Sequence, residues 1–270
     1  MQNKMIRKLS SIKDRILDLQ ALRKERDDLK QRCASLEAHL AQCDYLPIPP
    51  TPLRVRVGGW EDPDHFLGVG RKIFWDLKRL LGSAGRNFES LHSILDFGCG
   101  CGRVIRYLKP AEKQTVFGTD IDPECIEWCR QNLGNIATFT VNAPQPPLAF
   151  PNESFDLVYG ISVFTHLPEE MQFQWLEELA RVLKKGGVLI TSVHGEGLLQ
   201  PADVERIEQL QREGFLYLTG GDTPGLPDFY QTTYHTKAYI EQSWGKYFDI
   251  QTVWTRGINN HQDGVVCIKR

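Results

Sequence analysis

No stretch of this chain stays apolar for long enough to cross a bilayer. Its first residues, Met1 to Arg7, lack the apolar core of a secretory signal, so the expectation is a cytoplasmic protein. A surplus of charge is missing too: 32 Lys and Arg face 34 Asp and Glu, for a formal charge of −2. That balance excludes a general pull toward nucleic acid or anionic lipid, and no basic cluster marks a polynucleotide track. Cysteine is present without a framework. Cys33, Cys43, Cys99, Cys101, Cys125, Cys129 and Cys267 are odd in number, which argues against a set of disulfides. Cys125 and Cys129 stand one helical turn apart, but no second pair has zinc spacing, so no metal is expected. What remains is an ordinary globular composition, 41% apolar, and 270 residues suit one α/β domain plus an appendage.

Glycine and proline are both absent from residues 4–44, which are highly charged. An apolar stripe runs through them: Ile6, Leu9, Ile12, Ile16, Leu19, Leu22, Leu29, Cys33, Leu36 and Leu40. Steps of three and four predict a long amphipathic helix of coiled-coil character over residues 1–44. The short step from Leu19 to Leu22 is a stammer, and Arg23 and Arg26 interrupt the stripe. So polar a helix needs a partner to cover its stripe, which predicts a homo-oligomer or docking to another protein through residues 4–44. Proline then crowds residues 45–52, predicting a stiff extended linker. Arg54 to Val57 alternate charged and apolar and read as a short extended piece, and Phe66 to Leu81 read as a helix.

The rest is organised around Ser93-Ile94-Leu95-Asp96-Phe97-Gly98-Cys99-Gly100-Cys101-Gly102-Arg103. An apolar strand stops near an acid, three glycines follow at alternate positions, and a second strand ends at Asp120. Such a corner lies at the carboxyl edge of a parallel sheet, where bare backbone approaches a ligand. The spacing is G-x-G-x-G, not the G-x-G-x-x-G of dinucleotide enzymes, and Asp96 suits a cationic ligand better than a pyrophosphate. Asp120 is placed to accept from ribose hydroxyls. Strands at 93–97, 115–120, 136–141, 154–160 and 187–193 alternate with helices at 102–109, 123–132 and 168–185. That alternation implies a doubly wound α/β fold with a mostly parallel sheet, its strand ends and motifs on one edge.

This pattern resembles the class I S-adenosylmethionine-dependent methyltransferases, mainly over residues 90–195. The resemblance implies a seven-stranded Rossmann-like sheet over residues 91–270, closed by an antiparallel hairpin at Phe248 to Trp254 and Gly264 to Lys269. It implies S-adenosylmethionine as cofactor, with Asp96, Gly98, Cys99, Gly100 and Gly102 at its methionine end. Asp120 and Ile121 would hold the ribose, Asn142 and Ala143 the adenine, with Ile161 after the fourth strand completing the cofactor site. Asn142 stands where the family has an acid, and its carbonyl can still accept from an amine. Asp156, in Phe155-Asp156-Leu157-Val158, is read as structural. Residues 53–90 are read as a lid segment that turns Trp60 toward the site.

Methyl transfer is an in-line displacement, so alignment is the enzyme's main contribution. A hydroxyl acceptor usually needs a base, and histidine titrates in the right range. His166, after the fourth strand, is the first candidate base and His194, after the fifth, the second. An insertion at 195–234 is long enough to serve the acceptor, and Tyr230, His235, His261 and Asp263 are its candidate ligands. Aromatic faces with amides and carboxylates suit a small polyol or glycan. The readings are therefore an O-methyltransferase for a sugar, glycan or other small molecule; an N-methyltransferase for a protein or amine; or a non-catalytic coiled-coil adaptor.

Overall fold

A computed structural model describes residues 19–20, 22–33, 45–221 and 225–270. The chain divides into two compact units, Met1–Leu46 and Pro47–Arg270. In the first, residues 19–20 and 22–33 are helical, with Leu19, Leu22 and Leu29 exposed. The stripe residues Ile6, Leu9, Ile12, Ile16, Leu36 and Leu40 lie outside the described residues.

The second unit begins with two helices, α1 (Thr51–Gly58) and α2 (Pro63–Ser83). Then come β1 (Ser93–Phe97), β2 (Thr115–Asp120), α3 (Pro123–Leu133), β3 (Thr138–Val141), β4 (Phe155–Gly160), α4 (Glu169–Val182) and β5 (Leu183–Gly195). The chain continues through α5 (Val204–Glu213), β6 (Phe215–Leu218), β7 (Thr232–His235), α6 (Lys237–Ser243), β8 (Phe248–Ile258) and β9 (Gln262–Lys269). Strands β3, β2, β1, β4 and β5 pair in that order, all parallel. β5 is long enough to serve two partners on its far side. β9 pairs with it antiparallel over Val188–Val193, and β7 pairs with its end at His194 and Gly195. β8 closes the sheet on β9, and the β6–β7 hairpin adds two strands to the expected seven, making nine.

Local chemistry explains the elements around the glycine loop. Asp122 caps α3, its Oδ1 accepting from Glu124 N at 2.9 Å and Cys125 N at 3.2 Å, with Pro123 in the first turn. Asp156 braces the sheet: Oδ2 accepts from His92 N at 2.8 Å and Ser93 N at 2.9 Å, and Lys184 Nζ lies 2.7 Å from Oδ1. The apolar faces of β1, β4 and β5 bury Leu95, Phe97, Val158 and Leu189 against Trp175, Leu176 and Leu179 of α4.

Three segments differ from their sequence patterns. Arg54 to Val57 are helical, not extended, and α1 already begins inside the expected linker. The alternation of charged and apolar residues there misleads because Arg54 is buried, its guanidinium donating to the carbonyls of Pro49 and Glu61 and to Thr51 Oγ1. The expected helix at 102–109 is a run of turns ending in a short 3-10 turn at Ile105–Tyr107. Val104 to Leu108 are buried on every side, so no polar face pays out an amphipathic period. Third, the 195–234 insertion, whose residues 201–213 read as a helix and form α5, also carries the β6–β7 hairpin, which its sequence pattern does not announce.

Gly102 illustrates how tightly the loop is seated. Its φ is +78°, and an added Cβ would lie 2.4 Å from Leu133 Cδ1 of α3. Gly102→Ala should therefore cost about 2–4 kcal/mol, the sum of left-handed backbone and overpacking, read as a lowered denaturant midpoint at unchanged slope.

Candidate active site

The carboxyl ends of β1, β2 and β4 open into a cleft with a cavity volume of about 100 Å³. Asp96, Gly98, Cys99, Gly100, Asp120, Ile121, Asn142 and Ile161 line it. Gly102 and Ala143 do not: Gly102 faces Leu133 and Cys129 of α3, and the neighbours of Ala143, Asn142 and Pro144, take the wall. Gly98 and Gly100 have φ of +77° and +52°, and added Cβ atoms would meet Val163 at 2.3 Å and Val57 at 2.7 Å. Bare backbone is what lets this loop sit beneath α1 and the chain after β4.

Two acids flank the loop. Asp96 is buried, and its Oδ2 accepts from the Tyr159 hydroxyl at 3.0 Å. Burial dominates over that bond and lifts its pKa to about 8. Asp120 accepts from Gly100 N through Oδ2 at 2.7 Å and from Asp122 N through Oδ1 at 2.9 Å, and burial raises it as well. Each oxygen keeps a further lone pair for a hydroxyl. Asn142 Oδ1 accepts from Thr119 Oγ1 at 2.8 Å, and its amide donates to the Ala143 carbonyl at 2.7 Å.

These groups fit S-adenosylmethionine: a buried acid in no ion pair among the described residues, a second acid on the next strand with lone pairs to spare, and a bare-backbone loop between them. A cation beside Asp96 favours its charged form and must expel the proton held there. Cofactor uptake near neutral pH should thus release up to about one proton per site, and almost none above about pH 9, since Asp96 titrates near 8. Calorimetry in buffers of differing ionisation heat measures this.

A second pocket with a cavity volume of about 340 Å³ adjoins the cleft. Trp60, Tyr230, His166 and His261 line it with Ser162, Asn259 and Gln262, and Arg56, Val57, Arg103, Ser162 and Tyr230 belong to both spaces. His166 stacks on Tyr230, ring centroids 4.1 Å apart at 19°. Its Nδ1 lies 2.6 Å from the Gln231 carbonyl. A carbonyl can only accept, so Nδ1 carries the proton and Nε2 keeps its lone pair. Burial lowers the His166 pKa, so the ring is neutral at pH 7. His194 lines neither space. It stands behind, 6.1 Å from His166 and 6.1 Å from His261, its Nδ1 on the Thr233 carbonyl at 3.1 Å, and burial with the neighbouring histidines holds it near about 4.

Two expected acceptor ligands are elsewhere. His235 is 1% exposed, with Nε2 on Gln172 Oε1 at 2.9 Å and Trp244 and Phe215 against the ring. β7 alternates, and Thr233 and His235 take its buried face. Asp263 Oδ1 accepts from Arg256 N at 2.8 Å, which pins the end of the β8–β9 hairpin rather than lining the pocket. The sequence assigns no role to Ser162 or Arg103, yet both line the two spaces. Ser162 has a φ of +62°, rare for a residue with a Cβ, and its hydroxyl pairs with the Gln262 amide at 3.0–3.1 Å.

Residues 94–187 match the family described as "Methyltransferase domain". A methyltransferase of Streptomyces halstedii is 31% identical over 144 residues, covering 50% of this chain and 49% of that protein. An O-methyltransferase of Pyrenophora dematioidea is 30% identical over 146 residues, 50% of this chain and 51% of its own. The chain thus spans about half the length of these curated relatives. Among solved structures, magnesium protoporphyrin IX methyltransferase from Synechocystis with bound SAH shares the fold, with a TM-score of 0.52, 18% identity, and coverage of 76% of this chain and 86% of that one.

Proposed function

The chain carries a class I S-adenosylmethionine-dependent methyltransferase domain, and from that premise we propose that the protein methylates a hydroxyl of a small molecule, a sugar or glycan being the preferred class. The observation that carries the hydroxyl is His166. It lines the acceptor pocket with Nδ1 bound to a carbonyl, and among the described residues Nε2 has no hydrogen-bond partner. When bound, S-adenosylmethionine would supply an electrophilic methyl on a sulfonium for the acceptor oxygen.

Asp96 would face the cofactor's cationic end, Asp120 its ribose, and Asn142 the base. His166 Nε2 takes the hydroxyl proton as the oxygen attacks, and the Gln231 carbonyl steadies the imidazolium through Nδ1–H. Tyr230, stacked on His166, fixes the ring's plane. Trp60 and Tyr230 with Ser162, Asn259 and Gln262 present aromatic faces, amides and a hydroxyl, which suit a polyol. The name of the Pyrenophora relative, an O-methyltransferase, supports an oxygen acceptor. Residues 1–44 are read as an arm for self-association or docking, supported by the exposed Leu19, Leu22 and Leu29.

The test is incubation with methyl donor and a panel of neutral sugars, sugar acids, phenols and amines, with products located by mass and NMR. Methyl ethers are the expected products. Methylation of amines alone would overturn the reading.

A further inference from the structure

Arg103 follows the last loop glycine and is 6% exposed. Its Cζ lies 5.0 Å from the centroid of the Trp60 ring, and its Nε is buried without a hydrogen-bond partner. Among the described residues it forms no ion pair. Asp122 and Glu124 pair with Arg56 at 2.7 and 2.9 Å; Asp96, which accepts from Tyr159, attracts Arg103 through space but is in no ion pair with it. Burial works against the charge on Arg103, though a guanidinium stays charged regardless. A buried charge with no partner is costly and calls for one to arrive. Arg103 lines both the cofactor cleft and the acceptor pocket, so an incoming anion can reach it from either.

We propose that Arg103, at the seam between the cofactor cleft and the acceptor pocket, binds a carboxylate. A guanidinium fork matches a carboxylate with two parallel hydrogen bonds. A phosphate dianion fits less well, because Asp96 and Asp120 line the same cleft and one cation would have to balance it. Two sources share this chemistry. One is the amino-acid end of the cofactor, with Asp96 facing its ammonium and Arg103 its carboxylate; this arm rests on the functional reading above. The other is the acceptor, which then belongs to the hydroxy acids, acidic sugars included.

Calorimetric titration of the full chain separates them, with three probes: S-adenosylhomocysteine, its carboxamide, and benzoate added with and without saturating S-adenosylhomocysteine. Wild type is compared with Arg103→Met and Arg103→Lys. If the cofactor supplies the carboxylate, wild type binds the acid at least about 10-fold tighter than the carboxamide, and the gap closes in Arg103→Met. If the acceptor supplies it, acid and carboxamide bind alike, and benzoate binds wild type but not Arg103→Met. Arg103→Lys, keeping charge without the fork, falls between. A gap or a benzoate site that persists in Arg103→Met overturns the proposal, as does wild type showing neither. Should the variants fail to fold, the wild-type probes still decide, because absence of both the gap and benzoate binding overturns it. Benzoate binding that needs Arg103, in a protein that does not bind S-adenosylhomocysteine, would sink the cofactor reading and leave the carboxylate site standing.

Discussion

His166→Ala should lower kcat about 10²–10⁴-fold, the usual contribution of a general base, while leaving cofactor affinity within about twofold. The split follows from placement: His166 lines the acceptor pocket and not the cofactor cleft. A pH profile gives a second readout. Only the neutral ring can take a proton, and burial holds the His166 pKa below its ordinary 6.5. The wild-type rate should be level near pH 7 and fall on an acid limb below 6.5, with that limb missing in His166→Ala. His194→Ala should act more mildly, since His194 lines neither space and stays neutral down to about 4. A His166→Ala enzyme with near wild-type kcat would point to an amine acceptor, which needs only to arrive uncharged.

Asp120→Ala should weaken cofactor binding at least about 100-fold, because two interactions go together. The ribose loses its charged acceptor. The loop loses its own brace, since Gly100 N and Asp122 N both donate to this carboxylate. Asp120→Asn keeps one acceptor oxygen and should fall between. Isothermal titration with S-adenosylhomocysteine reads the affinities, and a melting curve shows whether the loss is local. If Asp120→Ala bound as tightly as wild type, the ribose would lie elsewhere.

The residues that meet in the cleft at the strand ends were largely legible in the sequence, and those of the pocket beside it largely were not, for one physical reason. Asp96, Gly98, Gly100 and Asp120 sit on a strand, a turn and the next strand, and strand periodicity with glycine spacing is a local signal. The pocket beside it is assembled from distant segments: Trp60 beyond α1, Ser162 and His166 beyond β4, Tyr230 before β7, and Gln262 on β9. No local pattern says that Gln262 meets Ser162 across the sheet edge. His235 shows the converse error. Phe229 to His235 is rich in rings and hydroxyls and reads as a ligand wall, but two-residue alternation in β7 turns His235 into the core. The burial of Arg103 between the two spaces, outside any ion pair among the described residues, has no local sequence signal, because it depends on Asp122 and Glu124 pairing with Arg56.

The cleft between Asp96 and Asp120 is expected to take S-adenosylmethionine. Calorimetric titration of the purified 270-residue chain with S-adenosylmethionine and S-adenosylhomocysteine decides this. One site per chain with micromolar affinity for both is expected, with proton release near pH 7 from Asp96. No heat and no thermal stabilisation with either compound at millimolar concentration would contradict it.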